Sequence, residues 1–195
     1  MLVLWANEMI GNYSIDGLRI DSVLNVNNQF FHTFNGGTKV FCLGEALSID
    51  ARSVCQLQGD GLDGFLNYPL YYTLTKSFNN TETDLTGLIV GKDIIKGSCY
   101  DVFSLGTFTE NQDVPRFSSF TKDTALKSNV ITYKMLGDGI PIGTRIRSGK
   151  LINYFLTTSQ CTTEKSRALM AGITRRTVSL CGRPSTRPTR LCPAW

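Results

Sequence analysis

Histidine is nearly missing from this chain: His32 is the single one in 195 residues. A zinc centre therefore has one imidazole to draw on, and the cysteines do not make up the deficit. They lie at positions 42, 55, 99, 161, 181 and 192, with no Cys-x-x-Cys spacing among them, which argues against a structural zinc site. His32 itself sits beside the Phe30-Phe31 pair and reads as a structural or exposed residue, not a catalytic one. Long apolar runs are lacking too. None approaches the roughly 18–20 residues that span a bilayer, so no membrane partner is expected. The opening Met1–Glu8 has no basic n-region and meets an acid early, so no signal peptide is expected there.

Acid is what the last part of the chain lacks. Residues 143–195 hold 10 Lys/Arg against the one acid Glu164, a net of +9, while residues 1–142 hold 10 against 15, a net of −5. A swing of that size marks a boundary. It divides a body over 1–142 from a basic Arg/Ser/Thr/Pro-rich tail over 143–195, expected to be irregular, with Pro184, Pro188 and Pro193 near its end. Hydrophobic residues at 42% and aromatics at 10% fit a globular body with one buried core, or part of a larger one. Two glycosylation sequons are present, Asn12-Tyr-Ser and Asn79-Asn-Thr, and they matter only if the protein is exported.

The body reads as strands alternating with helices. Leu2, Trp5, Met9 and Tyr13 recur at helical spacing and predict an amphipathic first helix. Gly17–Asp21 reads as a short buried strand, Val26–Asn35 as a helix ended by Gly36-Gly37, and Lys39–Glu45 as a near-continuous apolar strand. Cys42, inside that apolar strand, reads as a buried thiol. A strand-like Phe65-Leu66 follows, then helices over Leu70–Phe78 and Leu85–Ile95, a strand over Leu105–Phe108, a helix over Asp123–Leu136, and a strand opening at Gly139–Ile142. No period of either kind is evident past Leu156. Such alternation argues for βα units and a parallel sheet.

Three carboxylates follow apolar runs: Asp21, Glu45 and Asp113. In a (β/α)8 barrel the C-terminal ends of the strands share one mouth, where the chemistry of that fold is built. Arg19 and Asp21, two apart on a strand, share a face, and the guanidinium keeps the carboxylate ionised. Glu45 follows Phe-Cys-Leu-Gly, an apolar setting that raises a carboxyl pKa. Two carboxyls of opposite protonation suit a retaining glycosidase. Carboxylates on successive strands also hold Mg²⁺ in enolase-type sites, and Arg19 with Asp21 reads equally well as a structural ion pair. The residues alone leave these open.

The wording of the motifs says more. Asp16-Gly-Leu-Arg-Ile-Asp-Ser-Val23 resembles the fourth-strand signature of the α-amylase family, glycoside hydrolase family 13, in its fungal secreted form. Gly44-Glu-Ala-Leu47 is similar to the fifth-strand motif and Phe108-Thr-Glu-Asn-Gln-Asp113-Val-Pro-Arg-Phe117 to the seventh. Gly64-Phe-Leu-Asn-Tyr-Pro-Leu-Tyr-Tyr72 and Asp138-Gly-Ile-Pro-Ile142 are also similar to the fungal enzymes. The resemblance runs from about Asn7 to Ile142. It implies a partial (β/α)8 TIM barrel, from the helix before strand four to the start of strand eight, with the first three strands preceding residue 1. It implies retaining hydrolysis of α-1,4-glucosidic bonds in starch-type glucans, with Asp21 as nucleophile, Glu45 as general acid/base, Asp113 as transition-state stabiliser and Arg19 in support of Asp21. It further implies a Cys55–Cys99 disulfide, extracellular localisation, a starch or maltooligosaccharide partner, and a monomer. Calcium belongs to the family; most of its ligands would lie outside this chain, and the backbone carbonyl of Asn25 remains one candidate.

The chain also departs from the family. Gln112 stands where the seventh-strand motif has His, and Leu24-Asn25 where the fungal enzymes carry a substrate-touching Lys-His pair. After Ile142, Gly143-Thr-Arg-Ile-Arg147 replaces the family's eighth-strand wording, as translation in a shifted frame would. A basic tail for nucleic acid is the rival, and no nucleic-acid motif supports it, so no nucleic-acid partner is expected. These departures keep a second expectation in view, a catalytically inactive remnant or a glucan-binding pseudoenzyme.

Overall fold

The computed structural model describes residues 1–147, 150–155 and 178–180, those from 144 onward by backbone alone. Its strands are β1 (Gly17–Ile20), β2 (Phe41–Gly44), β3 (Gly64–Phe65), β4 (Gly106–Thr107), β5 (Ile140–Arg147), β6 (Lys150–Phe155) and β7 (Val178–Leu180). The helices are α1 (Leu2–Tyr13), α2 (Asn28–Thr38), α3 (Ala51–Gly59), α4 (Tyr68–Phe78), α5 (Thr86–Ser98) and α6 (Thr124–Leu136). β1, β2 and β3 pair in parallel in chain order, and β4 pairs in parallel with β5. A parallel bridge from Leu66 to Gly106 joins the two groups. The result is an α/β run of five parallel strands with a helix or helix pair in each connection. β7 takes the free edge of β1, and β6 turns back antiparallel on β5.

The two faces of this sheet carry two apolar clusters, as a period of two demands. Leu18, Cys42 and Phe65 point to the helices, joining Phe31, Phe34, Val54, Leu57 and Leu74. Phe41, Leu43 and Leu66 point to the other side, where Tyr68, Tyr71, Phe108, Ile140 and Ile142 fill the space. Cys42 is buried, its thiol within 3.6 Å of the Val40 carbonyl. Cys55 on α3 and Cys99 after α5 are disulfide-bonded. His32 is exposed.

Several boundaries differ from the sequence reading, each for a local reason. α2 begins at Asn28, because the Asn27 side chain caps it by accepting from the Gln29 N–H. It then runs through Gly36-Gly37 to Thr38. A Cβ on Gly37 would lie 2.5 Å from Val3 Cγ1, so that glycine admits α1 against α2 instead of ending the helix. Lys39, in the left-handed region at φ 56°, ends it. α1 is helical, but its packed side is Val3, Ala6, Met9 and Ile10, while Leu2, Trp5 and Tyr13 stand exposed. α3 escaped the sequence reading altogether, although Asp50 caps it through the Arg52 and Ser53 N–H groups and Ala51, Val54 and Cys55 form its buried stripe. α4 starts two residues before Leu70, where Asn67 caps and Pro69 sits in the first turn. β5 continues past Ile142 to Arg147. The shifted-frame and irregular-tail expectations fall largely on 148–149, 156–177 and 181–195, outside the described residues, as do Cys161, Cys181 and Cys192.

The disulfide closes a loop with a sequence separation of 44. The chain-entropy relation assigns such a loop about 4 kcal/mol. The double substitution Cys55→Ser/Cys99→Ser is expected to lower the unfolding free energy by about 3–4 kcal/mol, read as a fall in urea midpoint against the oxidised protein.

Candidate active site

The site starts from two neighbouring strand ends. In the β1–β2 register Ile20 is level with Gly44, so the next residues, Asp21 and Glu45, leave the sheet side by side. The Glu45 N–H donates to the Ile20 carbonyl at 2.8 Å, and the Val23 N–H donates to the Glu45 carbonyl at 2.9 Å. Ser22, in the left-handed region at φ 51°, turns the chain there into the short 3₁₀ turn Val23–Asn25.

Arg19 holds the pair. Its Nη1 donates to Asp21 Oδ1, and its Nη2 lies 2.8 Å from Glu45 Oε1. The second contact is an ion pair without hydrogen-bond alignment, since Nη2 meets no acceptor in good geometry. Glu45 is the more buried acid, with a side chain 8% exposed against 29% for Asp21. Burial, and then the hydrogen bond it shares with Asp21, push the Glu45 carboxyl up to about 7 against the pull of Arg19. Asp21 goes the other way. Its partial burial opposes charge, but the hydrogen bond from Glu45 and the Arg19 guanidinium outweigh that and hold it below the usual carboxylate value. One carboxyl is thus kept ionised and its neighbour is kept protonated into the neutral range.

Asp113 does not join them directly. β4 ends at Thr107, and the stretch to Asp113 leaves the sheet as a loop folded on Asn111, whose Oδ1 accepts from the Asp113 and Val114 N–H groups at 2.8 and 3.0 Å. The Asp113 side chain is exposed, although its charge is felt at the Tyr68 phenol. Gln112 is exposed beside it. Glu110 and Arg116 pair at 2.5 Å and brace the loop's far side.

Two residues that the sequence reading passed over complete the constellation. Tyr68 OH lies 3.2 Å from Glu45 Oε1, and Asn111 Nδ2 lies 2.9 Å from Tyr68 OH. A signal existed: a tyrosine two residues after the apolar Phe65-Leu66 piece is buried, and a buried phenol needs a polar partner. Asn25 lies exposed at the end of its turn, with its N–H donating to the Ser22 carbonyl. Calcium takes six to eight oxygens. Among the described residues no group of three His, Cys, Asp or Glu side chains is placed to hold a metal ion. No helix among them is long and apolar enough to cross a membrane.

No family model matches the chain. Alpha-amylase 1 of Lipomyces kononenkoae is 42% identical over 138 residues, 71% of this chain and 22% of that protein. Alpha-amylase 2 of Schwanniomyces occidentalis is 40% identical over 139 residues, 71% of this chain and 27% of its own length. Among solved structures, an α-amylase from Malbranchea cinnamomea aligns with a TM-score of 0.69 at 39% identity, over 71% of this chain and 29% of its own. An α-amylase from Geobacillus thermoleovorans, solved with acarbose, also aligns at 0.69, with 27% identity over 87% of this chain and 42% of its own. The chain spans about a quarter of the length of the curated relatives it matches.

The raised Glu45 has a consequence for stability. In the unfolded chain it loses its proton near 4.5, in the fold near 7, so between these values unfolding releases a proton. Stability is therefore full below about pH 4.5 for this group and falls as pH rises through 7. Asp21 acts oppositely, its contribution fading only in acid below its ordinary 3.8. Urea unfolding is expected to lose on the order of 3 kcal/mol between pH 5 and pH 8, and Glu45→Gln to flatten that slope.

Proposed function

We propose that this chain, which belongs to the α-amylase family (glycoside hydrolase family 13) in its fungal form, supplies the catalytic acids of a retaining glycosidase acting on α-1,4-glucosidic bonds of starch-type glucans. The observation that carries this reading is the opposed protonation of Asp21 and Glu45 around one arginine. Its five parallel strands correspond, in this reading, to the fourth through eighth strands of a (β/α)8 barrel, β1 being the fourth. That assignment puts Asp21 and Glu45 at the barrel's mouth, where this fold carries its chemistry.

The roles follow from the charge states. Ionised Asp21 forms a bond to the anomeric carbon as the glycosidic C–O bond breaks, and Glu45 passes its proton to the departing oxygen. Glu45, now a carboxylate, takes a proton from water, whose oxygen displaces Asp21 and restores both groups. Asp113, on its exposed loop, is the third charge available to an oxocarbenium-like transition state, with Gln112 beside it for sugar hydroxyls. The disulfide supports an oxidising compartment and hence export. Asn25 would lend its backbone carbonyl to calcium as one ligand. The partner in this reading is starch or a maltooligosaccharide.

The test is glucan hydrolysis by the full chain, with reducing ends measured from soluble starch and maltoheptaose. Loss of a positioned acid/base costs about 10²–10⁴-fold in rate. Glu45→Gln is expected to remove activity by at least that factor while leaving the circular dichroism unchanged. Release of reducing ends that is indifferent to Glu45→Gln overturns the assignment. Maltoheptaose binding without hydrolysis, equal in both proteins, would instead identify a glucan-binding module.

A further inference from the structure

Tyr68 is fully buried, yet it sits at the start of α4 with its phenol aimed at the site. Its ring packs edge-on against Phe108 with centroids 4.9 Å apart, and against Tyr71 at 6.3 Å, which holds the ring in place. Both directions of its hydrogen bonding are fixed by its neighbours. Asn111 Oδ1 accepts from two backbone N–H groups, which can only donate, so Nδ2 is the atom turned to Tyr68. That amide nitrogen can only donate, so the phenol oxygen accepts there. Its one hydrogen is left for Glu45 Oε1.

We propose that Tyr68, held by Asn111, is a positioning residue that reserves Oε1 of Glu45 and leaves Oε2 as the oxygen carrying the transferable proton. The proposal rests on Glu45 being the acid/base. Oε1 receives the hydrogen of the Tyr68 hydroxyl and faces the Arg19 guanidinium nitrogen Nη2 at 2.8 Å. A proton on that oxygen would meet the Tyr68 hydrogen head-on and lie beside a fixed positive charge. Oε2 takes the Ser22 N–H at a long 3.4 Å, and the carboxyl shares a hydrogen bond with Asp21. The same chain reaches further, because Asn111 also folds the loop that bears Asp113. The third carboxylate is thereby tied to the second through one phenol and one amide. The charged and titratable groups that bear on Glu45 are Arg19 and Asp21 from the end of β1, Tyr68 from α4, and, through Tyr68, Asp113 from the loop after β4.

The test follows the contact itself in the full chain labelled with ¹³C at tyrosine Cζ and glutamate Cδ. Burial pushes the Tyr68 phenol above its ordinary value, so between pH 5 and pH 9 its Cζ signal, assigned through its ring contacts to Phe108, has no titration of its own. It is expected to shift with the Glu45 midpoint, and to become flat in Glu45→Gln. In Tyr68→Phe the Glu45 carboxylate loses a donor, so its proton affinity is expected to rise about threefold or more. A Tyr68 signal that ignores the Glu45 titration overturns the proposal, and this measurement needs no variant of Tyr68 to fold. A Glu45 midpoint unmoved in a folded Tyr68→Phe protein overturns it equally, since a purely packing role would change stability and leave the midpoint alone. Failure of the enzymatic reading is seen separately, as hydrolysis that Glu45→Gln does not touch.

Discussion

One guanidinium faces two carboxyls at the centre of this site, and the number of protons there follows from that count. If Asp21 and Glu45 were both ionised, Arg19 would leave a net negative charge among half-desolvated groups, which is costly. One carboxyl must therefore keep its proton over part of the neutral range. The choice between them is made by burial. Glu45 has lost nearly all its water and Asp21 has kept some, so the proton settles on Glu45. Substituting Arg19 would lift both carboxyls, since its charge lowers each of them.

Backbone geometry, in turn, makes that contact possible. The register that sets Ile20 level with Gly44 puts Asp21 and Glu45 on adjacent exits from the sheet, and a slip of one residue would turn one of them to the opposite face. Gly44 secures the arrangement. A Cβ there would fall 2.7 Å from Leu62 and 3.1 Å from Val23, so glycine lets the Ser22–Val23 turn fold close enough for its N–H to reach the Glu45 carbonyl. The same alternation that fills one face of the sheet with Leu18, Cys42 and Phe65 gives the other to Phe41, Leu43 and Leu66, leaving the polar groups at the strand ends.

How far all this was legible depended on whether the signal was local. Strand–helix alternation, the apolar run before Glu45 and the Arg19–Asp21 spacing are short-range patterns, and β1, β2 and α6 lie close to where they were read. Gly36-Gly37 misled because a glycine pair looks the same whether it ends a helix or admits a neighbour, and only the approach of Val3 tells which. α3 carried a visible cap and stripe and was passed over between two stronger strands. The stripe Leu2, Trp5, Met9 and Tyr13 gave the helix but only Met9 of its packed side, since burial is decided by where α2 lies, not by hydropathy. Tyr68 and Asn111 meet across a sequence separation of 43, which no local pattern encodes.

That last contact bears on why an exposed Asp113 can matter at all. A solvated carboxylate is screened, and its field at Glu45 is weak while water fills the space between them. In the proposed reading, a glucan displacing that water would let the charge act at full strength, but only if the loop already held the right position. Folding the loop on Asn111 meets that entropic cost in advance, before any sugar arrives. Tying Asn111 to Tyr68, and Tyr68 to Glu45, then keeps the distance between the second and third carboxyls from drifting with the loop. A site whose third charge sat on an unanchored loop would have to order it at each turnover, and the barrier would carry that cost.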